Sequence, residues 1–337
     1  MDTNNLTIHW EPLAAVPGLR FRHFSGDADY RARLEIAVAT KEVNGVDWNI
    51  TYEDIVNDDK WTPNFNIHEQ LIYVEYDRKI IGYFGYTWDT ELDGKILFLP
   101  WGVLLPEYWG RGIANLMLRY TEEKCREIAA SMPAESEKRY RVWKKKKAVA
   151  FVNFLQENGY KIERFFNCMI RPIELPLAEH PLPHGMEIRP VEPAHYRAIW
   201  EATWEAFKDH WGYTPPTEEM YQVHLTDRFF QPHLWKVAWE GDRVCGVVHN
   251  FLDEGENEMY NRKRGYTEDI SVGREWRGKG VAKALITESI RMFREMDMDH
   301  TWLTVDSENL SGAHRLYELL GYTVVEDQTS YNLGKPL

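Results

Sequence analysis

Apolar residues recur along this chain with two periods. Alternation with period 2 predicts strands at 19–24, 69–76, 79–88, 95–105 and 139–143, and again at 234–239, 243–251, 265–272 and just before Asn309. Period 3.6 predicts helices. The clearest follows Gly280, where Ala282, Leu285, Ile286, Ser289, Ile290 and Phe293 share one face. Further helices are expected at 26–42, 51–59, 146–158, 193–207, 217–229 and from Ala313 to Gly321. Asp77-Arg78 reads as a hairpin turn and 254–261 as a polar loop. Each half thus runs strand, two helices, three strands, helix, strand, helix, strands.

The halves also repeat in detail. Gly110, Gly112 and Ala114 match Gly278, Gly280 and Ala282, 168 positions on. Gly159-Tyr160 matches Gly321-Tyr322, 162 positions on. Two motif pairs in one order at nearly one interval indicate an internal duplication, too long for a solenoid repeat. The expected division is 1–170, a Pro-rich linker over 171–185 and 186–337, because Pro172, Pro176, Pro181 and Pro183 fix φ and remove donors between the copies. The copies are unequal. Trp109 stands where Arg277 stands, Leu155 where Tyr317 stands, and Lys144 to Lys147 replace the Asn-containing entry to the last helix.

Residues 270–286 join a strand, two glycines and a helix. The first N–H groups of a helix lack partners and its dipole favours negative charge, so this is a cradle for phosphate. A nucleotide P-loop would need Ser or Thr where Gly280 stands, and a dinucleotide fingerprint would need a third glycine where Lys283 stands. Arg277-x-x-Gly280-x-Ala282 after a strand instead resembles the acetyl-CoA pyrophosphate loop of the GNAT (GCN5-related N-acetyltransferase) superfamily. The run Asn309…Ala313-x-x-Leu316-Tyr317-x-x-x-Gly321-Tyr322 resembles the partner motif of the same superfamily.

The resemblance implies an α/β fold of the α+β GNAT type. Two tandem copies of a mixed, mostly antiparallel sheet would be flanked by helices, in a layout similar to mycothiol synthase. It implies acetyl-CoA as cofactor. Backbone groups at Ile270, Ser271 and Val272 would meet the pantetheine arm and the acetyl oxygen, and Arg277, Gly278, Lys279, Gly280, Val281 and Ala282 would hold the pyrophosphate. Asn309, Ala313 and Tyr317 would flank the arm, with Tyr317 as general acid to the leaving thiolate. Gly110, Arg111, Gly112, Ile113 and Ala114 would form a second, weaker cofactor site. Alternation places Glu268 on the face of Ile270, which makes it the candidate base, and turns Asp269 away. Asp209, His210, Trp211 and Tyr213 are candidate contacts for a cationic amine.

Composition narrows the class. The 337 residues carry a formal charge of −13 and lack the concentrated basic surface that nucleic-acid binding needs. Three scattered cysteines allow no disulfide framework and no CxxC knuckle, and His210, His233 and His249 lack metal-ligand spacing. No leader pattern and no apolar run of about 18 residues is present. A cytoplasmic monomer or homodimer without metal, membrane or nucleic-acid partner is expected. Its activity would be direct acetyl transfer from acetyl-CoA to a small-molecule primary amine in a ternary complex. The rivals are mycothiol-synthase-like transfer to a cysteinyl amine and a non-catalytic acyl-CoA-binding protein.

Overall fold

The computed structural model describes residues 6–47, 49–309 and 312–337, so the N-terminal residues read for a leader lie outside it. The chain forms two compact units, Met1–Glu163 with Tyr331–Leu337, and Arg164–Ser330.

In the first unit, β1 (Thr7–Ile8) and β2 (Leu19–His23) precede α1 (Asp27–Ala39), α2 (Tyr52–Trp61) and the short α3 (Ile67–Gln70). Then come β3 (Leu71–Tyr76), β4 (Lys79–Thr90), β5 (Ile96–Leu104), α4 (Ile113–Ala129), β6 (Lys138–Lys145) and α5 (Val149–Glu157). The sheet follows chain order from β1 to β6, antiparallel except for β5 on β6. Asp77 and Arg78 turn the β3–β4 hairpin with φ of 48° and 69°, the left-handed pair a type I′ turn requires.

The second unit repeats this order. After β7 (Lys161–Pro172) come β8 (Glu187–Ile188), α6 (Tyr196–Phe207), α7 (Glu218–Thr226), β9 (Lys236–Glu240) and β10 (Arg243–Phe251). They lead to α8 (Glu254–Met259), β11 (Arg264–Val272), α9 (Val281–Glu295), β12 (His300–Asp306) and α10 (Ala313–Leu319). β13 (Thr323–Val324) and β14 (Ser330–Pro336) close the chain. The sheet order is β7-β12-β11-β10-β9-β8, again with one parallel pair, β11 on β12.

Three expectations change. From Arg164 the chain already belongs to the second unit, because β7 pairs antiparallel with β12 from Phe166↔Asp306 to Pro172↔His300. The last residues return to the first unit, where the Leu337 N–H donates to the Lys138 carbonyl at 3.1 Å. The proline-rich segment is no free spacer. Arg171 is buried and donates to the carbonyls of Leu320, Pro172, Leu175 and Pro176, which ties that segment down. The polar run at 254–261 begins as helix α8, N-capped by Asp253, and its polarity is spent on buried Glu256 paired with Arg262 and Arg264.

Two irregularities prepare the site. β11 pairs with β12 only from Arg264 to Tyr266, so the strands diverge over the remaining residues of β11. β11 also carries a bulge against β10: Val247 faces Ser271 but His249 faces Glu268, with Asp269 at φ 46°. In the first unit β5 leaves β6 after Phe98 in the same way, but the β4–β5 ladder runs without a bulge.

Beneath β11, Leu285, Ile286, Ile290 and Phe293 of α9 are fully buried, the stripe that periodicity predicted. A Cβ on Gly265 would stand 2.5 Å from the Phe293 ring. Gly265→Val is therefore expected to lose about 1–3 kcal/mol of stability through overpacking. Urea unfolding measures this, and an unchanged midpoint would contradict the packing described.

Candidate active site

The cradle forms where β11 hands over to α9. Gly278 and Gly280 have φ of 74° and 90°, a region closed to most side chains, and a Cβ added at either meets nothing within 4 Å. The space that side chains would fill is left to a ligand in front of the α9 N-terminus, and this suits the phosphates of a coenzyme. Gly110 and Gly112 have φ of 73° and 78° and equally open surroundings, so the first unit keeps the cradle.

Arg277 is exposed, but its guanidinium is tethered to the unit. Its Nε donates to the Val272 carbonyl at 3.0 Å, Nη2 to the Ala206 carbonyl at 2.8 Å and Nη1 to Asp209 at 2.7 Å. Asp209 also takes Arg274 through Nε at 2.9 Å and Nη2 at 2.5 Å. Hydrogen bonds from Arg274 and then Arg277 hold its carboxyl far below the usual range. Asp209 thus ties the end of α6 to the turn between β11 and α9, and an amine contact there would share a carboxylate already paired with two arginines. His210 packs edge-on to Phe207, Trp211 lies against Phe166 and beneath Arg164, and Tyr213 lies near Trp204. The four residues expected as one acceptor patch serve separate contacts.

In the first unit Trp109 replaces Arg277, and its indole N–H donates to the Leu104 carbonyl at 2.9 Å. Leu104 is the counterpart of Val272, so one pinning bond survives with a neutral donor. Arg111 lies over Tyr108 and Tyr76. Behind Gly110 and Gly112 lies a cavity of about 510 Å³ between β5, α4 and α5, lined by Val103, Trp109, Phe154 and Leu155 among others. Lys144 is half-buried and sits 3.9 Å from the Phe151 ring centroid, and desolvation pulls its pKa down to about 8.

Where β11 and β12 diverge, the second unit collects its remaining candidates. Glu268 accepts from the Thr304 N–H at 3.2 Å and its hydroxyl at 3.1 Å, filling part of the gap. Tyr317 is 6% exposed and makes no side-chain hydrogen bond among the described residues. Burial, then the Glu268 charge and Tyr322, holds its phenol above the ordinary value and hence protonated. The side chain of Ser271 is buried, and Ile270 packs partly into the core. Val281 is buried, Ala282 is half-buried and Lys279 is exposed. The residue capping α10 is Gly312 rather than Asn309, whose carbonyl accepts from the Gly312 N–H at 3.4 Å; Ala313 opens the helix.

Periodicity missed one group. The bulge breaks the alternation that turned Asp269 away, and its carboxylate lies 3.3 Å from His249 Nδ1. No glycine marks that bulge in the sequence; the only signal was an Asp, a residue that tolerates left-handed backbone.

A family model described as the acetyltransferase (GNAT) family matches residues 38–134 and 196–322, more than half of the chain. The chain belongs to the GNAT acetyltransferase family. A mycothiol acetyltransferase of Thermobispora bispora is 27% identical over 222 residues, which cover 66% of this chain and 71% of that protein. The mycothiol acetyltransferase of Streptomyces scabiei is 28% identical over 214 residues, 61% of this chain and 65% of the relative. A GCN5-related N-acetyltransferase from Sphaerobacter thermophilus has a TM-score of 0.69 at 22% identity, covering 95% of this chain and 96% of that one. A tandem GNAT protein from the clavulanic acid biosynthesis pathway has a TM-score of 0.65 at 12% identity, covering 94% and 98%. At those identities the two structures speak to the fold alone. The protein is a GNAT acetyltransferase with two copies of the fold, and no helix among the described residues is long and apolar enough to cross a membrane.

Gly280→Val would put a branched side chain into the cradle at a φ it adopts poorly. We expect the KM for the acyl-CoA donor in steady-state kinetics to rise at least ~10-fold, beside a stability loss of about 1–3 kcal/mol from the strained φ. An unchanged KM would remove the loop from coenzyme binding.

Proposed function

We propose that the second unit transfers an acetyl group from acetyl-CoA to the primary amine of a small molecule. The observation that carries this is the pairing of the open cradle at Gly278 and Gly280 with a buried, protonated Tyr317 beside diverging strands. Arg277 and the α9 N-terminus would hold the phosphates, and the pantetheine arm would follow Ile270 to Val272. A backbone N–H of that stretch would polarise the thioester oxygen, an oxyanion-type contribution of roughly 3 kcal/mol per donor. Tyr317 would donate to the sulfur as the thiolate leaves. The amine attacks directly, and no cysteine stands at the motifs to carry a covalent intermediate.

The first unit would hold an acyl-CoA without turning it over. It keeps the glycine cradle and the cavity behind it, but Leu155 replaces the acid. On its acceptor side Arg33 pairs with Asp59 at 2.6 Å and lies 5.2 Å from the ring centroids of both Tyr83 and Trp101, which fills that side with protein.

A second acceptor reading follows from the relatives named mycothiol acetyltransferase: a cysteinyl amine in place of a simple one. Thiol release measured against both kinds of amine separates the two.

Tyr317→Phe should lower kcat by ~10²-fold, the usual weight of a general acid, and leave acetyl-CoA affinity near wild type. Because the phenol is held above the ordinary value near 10, wild-type kcat should show no alkaline decline between about pH 8 and 10. A variant as fast as wild type, or a decline in that window, would remove Tyr317 from the acid role.

A further inference from the structure

Glu268 is engaged by Thr304 through both carboxylate oxygens, which leaves the acceptor side of the second unit without an obvious base. One residue on, Asp269 holds left-handed backbone at the bulge, a conformation that Asp adopts more readily than most side chains. The bulge brings its carboxylate to His249 Nδ1 at 3.3 Å. A carboxylate only accepts, so Nδ1 carries the proton and Nε2 the lone pair. His249 is 7% exposed, and Nε2 is buried with no hydrogen-bond partner among the described residues. A buried acceptor left unpaired is costly, and an incoming N–H would satisfy it.

The surroundings suit that arrangement. The Asp269 side chain is exposed, so its far face is open to solvent and to an incoming acceptor. Desolvation works against its charge, but the His249 hydrogen bond, together with the positive charge that His249, His224 and His210 carry in acid, holds the carboxyl below its usual range. The titratable groups facing the pair are Glu268 across the ladder, His224 from α7 and His210 after α6. His224 lies 5.8 Å from His249 between ring centroids, and burial pulls its pKa down to about 4, so it is neutral at neutral pH. Trp235 packs against His249 at 4.3 Å.

The first unit supplies an internal control. The rung Gly82↔Leu104 corresponds to Gly246↔Val272. Counted from there, Gly85 stands for His249 and Trp101 for Asp269. No bulge intervenes, and the Trp101 ring lies where a Gly85 Cβ would be, 2.4 Å away. The copy that lost the counterpart of Tyr317 therefore lacks this pair as well.

We propose that Nε2 of His249 is the base that takes a proton from the acceptor amine, with Asp269 as its positioning residue. This rests on the acetyltransferase reading of the second unit. One N–H bond of the ammonium breaks and its proton moves to Nε2. The freed lone pair forms the C–N bond at the thioester carbonyl, the C–S bond breaks, and sulfur takes its proton from Tyr317. The second proton lost from nitrogen restores Tyr317 through solvent, and His249 returns its own to water, so one proton is released per turnover. Nε2 is covered in the free protein, so acceptor entry has to shift a neighbouring ring. The rings packed on His249 are those of Trp235 and His224.

The test uses the full chain, acetyl-CoA and two amines of similar size. Ethylamine is charged at neutral pH and 2,2,2-trifluoroethylamine is largely uncharged. Thiol release gives the rates, and ¹⁵N NMR of histidine-labelled protein gives the tautomers. With ethylamine, kcat/KM should fall ~100-fold in His249→Gln and ~10-fold in Asp269→Asn, within the range of general-base effects. The losses should be several-fold smaller with trifluoroethylamine. The base must be unprotonated, so kcat/KM should decline as pH falls through its pKa. With ethylamine, which stays charged throughout this range, the rate should level off above that limb in wild type and in Glu268→Gln, and in His249→Gln it should instead rise steadily with the free-amine fraction. One histidine should show the Nδ1–H tautomer in wild type and lose it in Asp269→Asn. Turnover with an unchanged acid limb in His249→Gln, equal losses with both amines, or an Nε2–H tautomer in wild type would overturn this proposal alone. A wild type that binds acetyl-CoA but releases no thiol with any amine would overturn the transferase reading and this proposal with it.

Discussion

Neighbouring strands that stop pairing leave backbone groups which something else must satisfy. β11 and β12 share three rungs and then separate, and most of the candidate chemistry lies in or beside the gap. Glu268 answers one orphan, the Thr304 N–H. Tyr317 closes the gap from α10 without a side-chain partner of its own among the described residues. The parallel pairing and the crossover helix α9 put the glycine cradle at the mouth of the same opening. A thioester arm laid there can meet backbone donors that no side chain had to provide.

The two copies show which parts of this design are separable. Both keep the divergence, the left-handed glycines and a bond to the carbonyl of the last strand residue, Val272 or Leu104. That bond tolerates exchange of a guanidinium for an indole because it needs only an N–H at a set distance. The second copy alone adds the buried phenol of Tyr317, the charged Arg274–Asp209–Arg277 bridge and the bulge with Asp269 and His249. In the first copy the matching space is filled by Trp101 over Gly85 and by the Arg33–Asp59 pair. Filling a cleft with packed rings and a buried ion pair favours stability and removes room for an acceptor.

Much was legible before any coordinates. The stripe on α9, the Asp77-Arg78 turn and the repeated Gly-x-Gly are local patterns, and each determines its own backbone. Misreadings came where a distant partner decides. The pairing of Asp209 with Arg274 and Arg277 was not legible, because those arginines arrive from across the unit. The run at 254–261 reads as loop because nothing nearby shows that Glu256 is buried with Arg262 and Arg264.

By itself, then, the sequence determined the duplication, the order of elements in each copy, the glycine turn between strand and helix, and the inequality between Arg277 or Tyr317 and their replacements. These depend on short-range period and on residue identity. The tertiary structure decided where the units divide, because strand pairing assigns β7 to β12 and returns the last residues to the first unit. It also decided which carboxylate faces which partner. A single extra residue in β11 changes the face of Asp269, and that is a property of the ladder rather than of either strand alone.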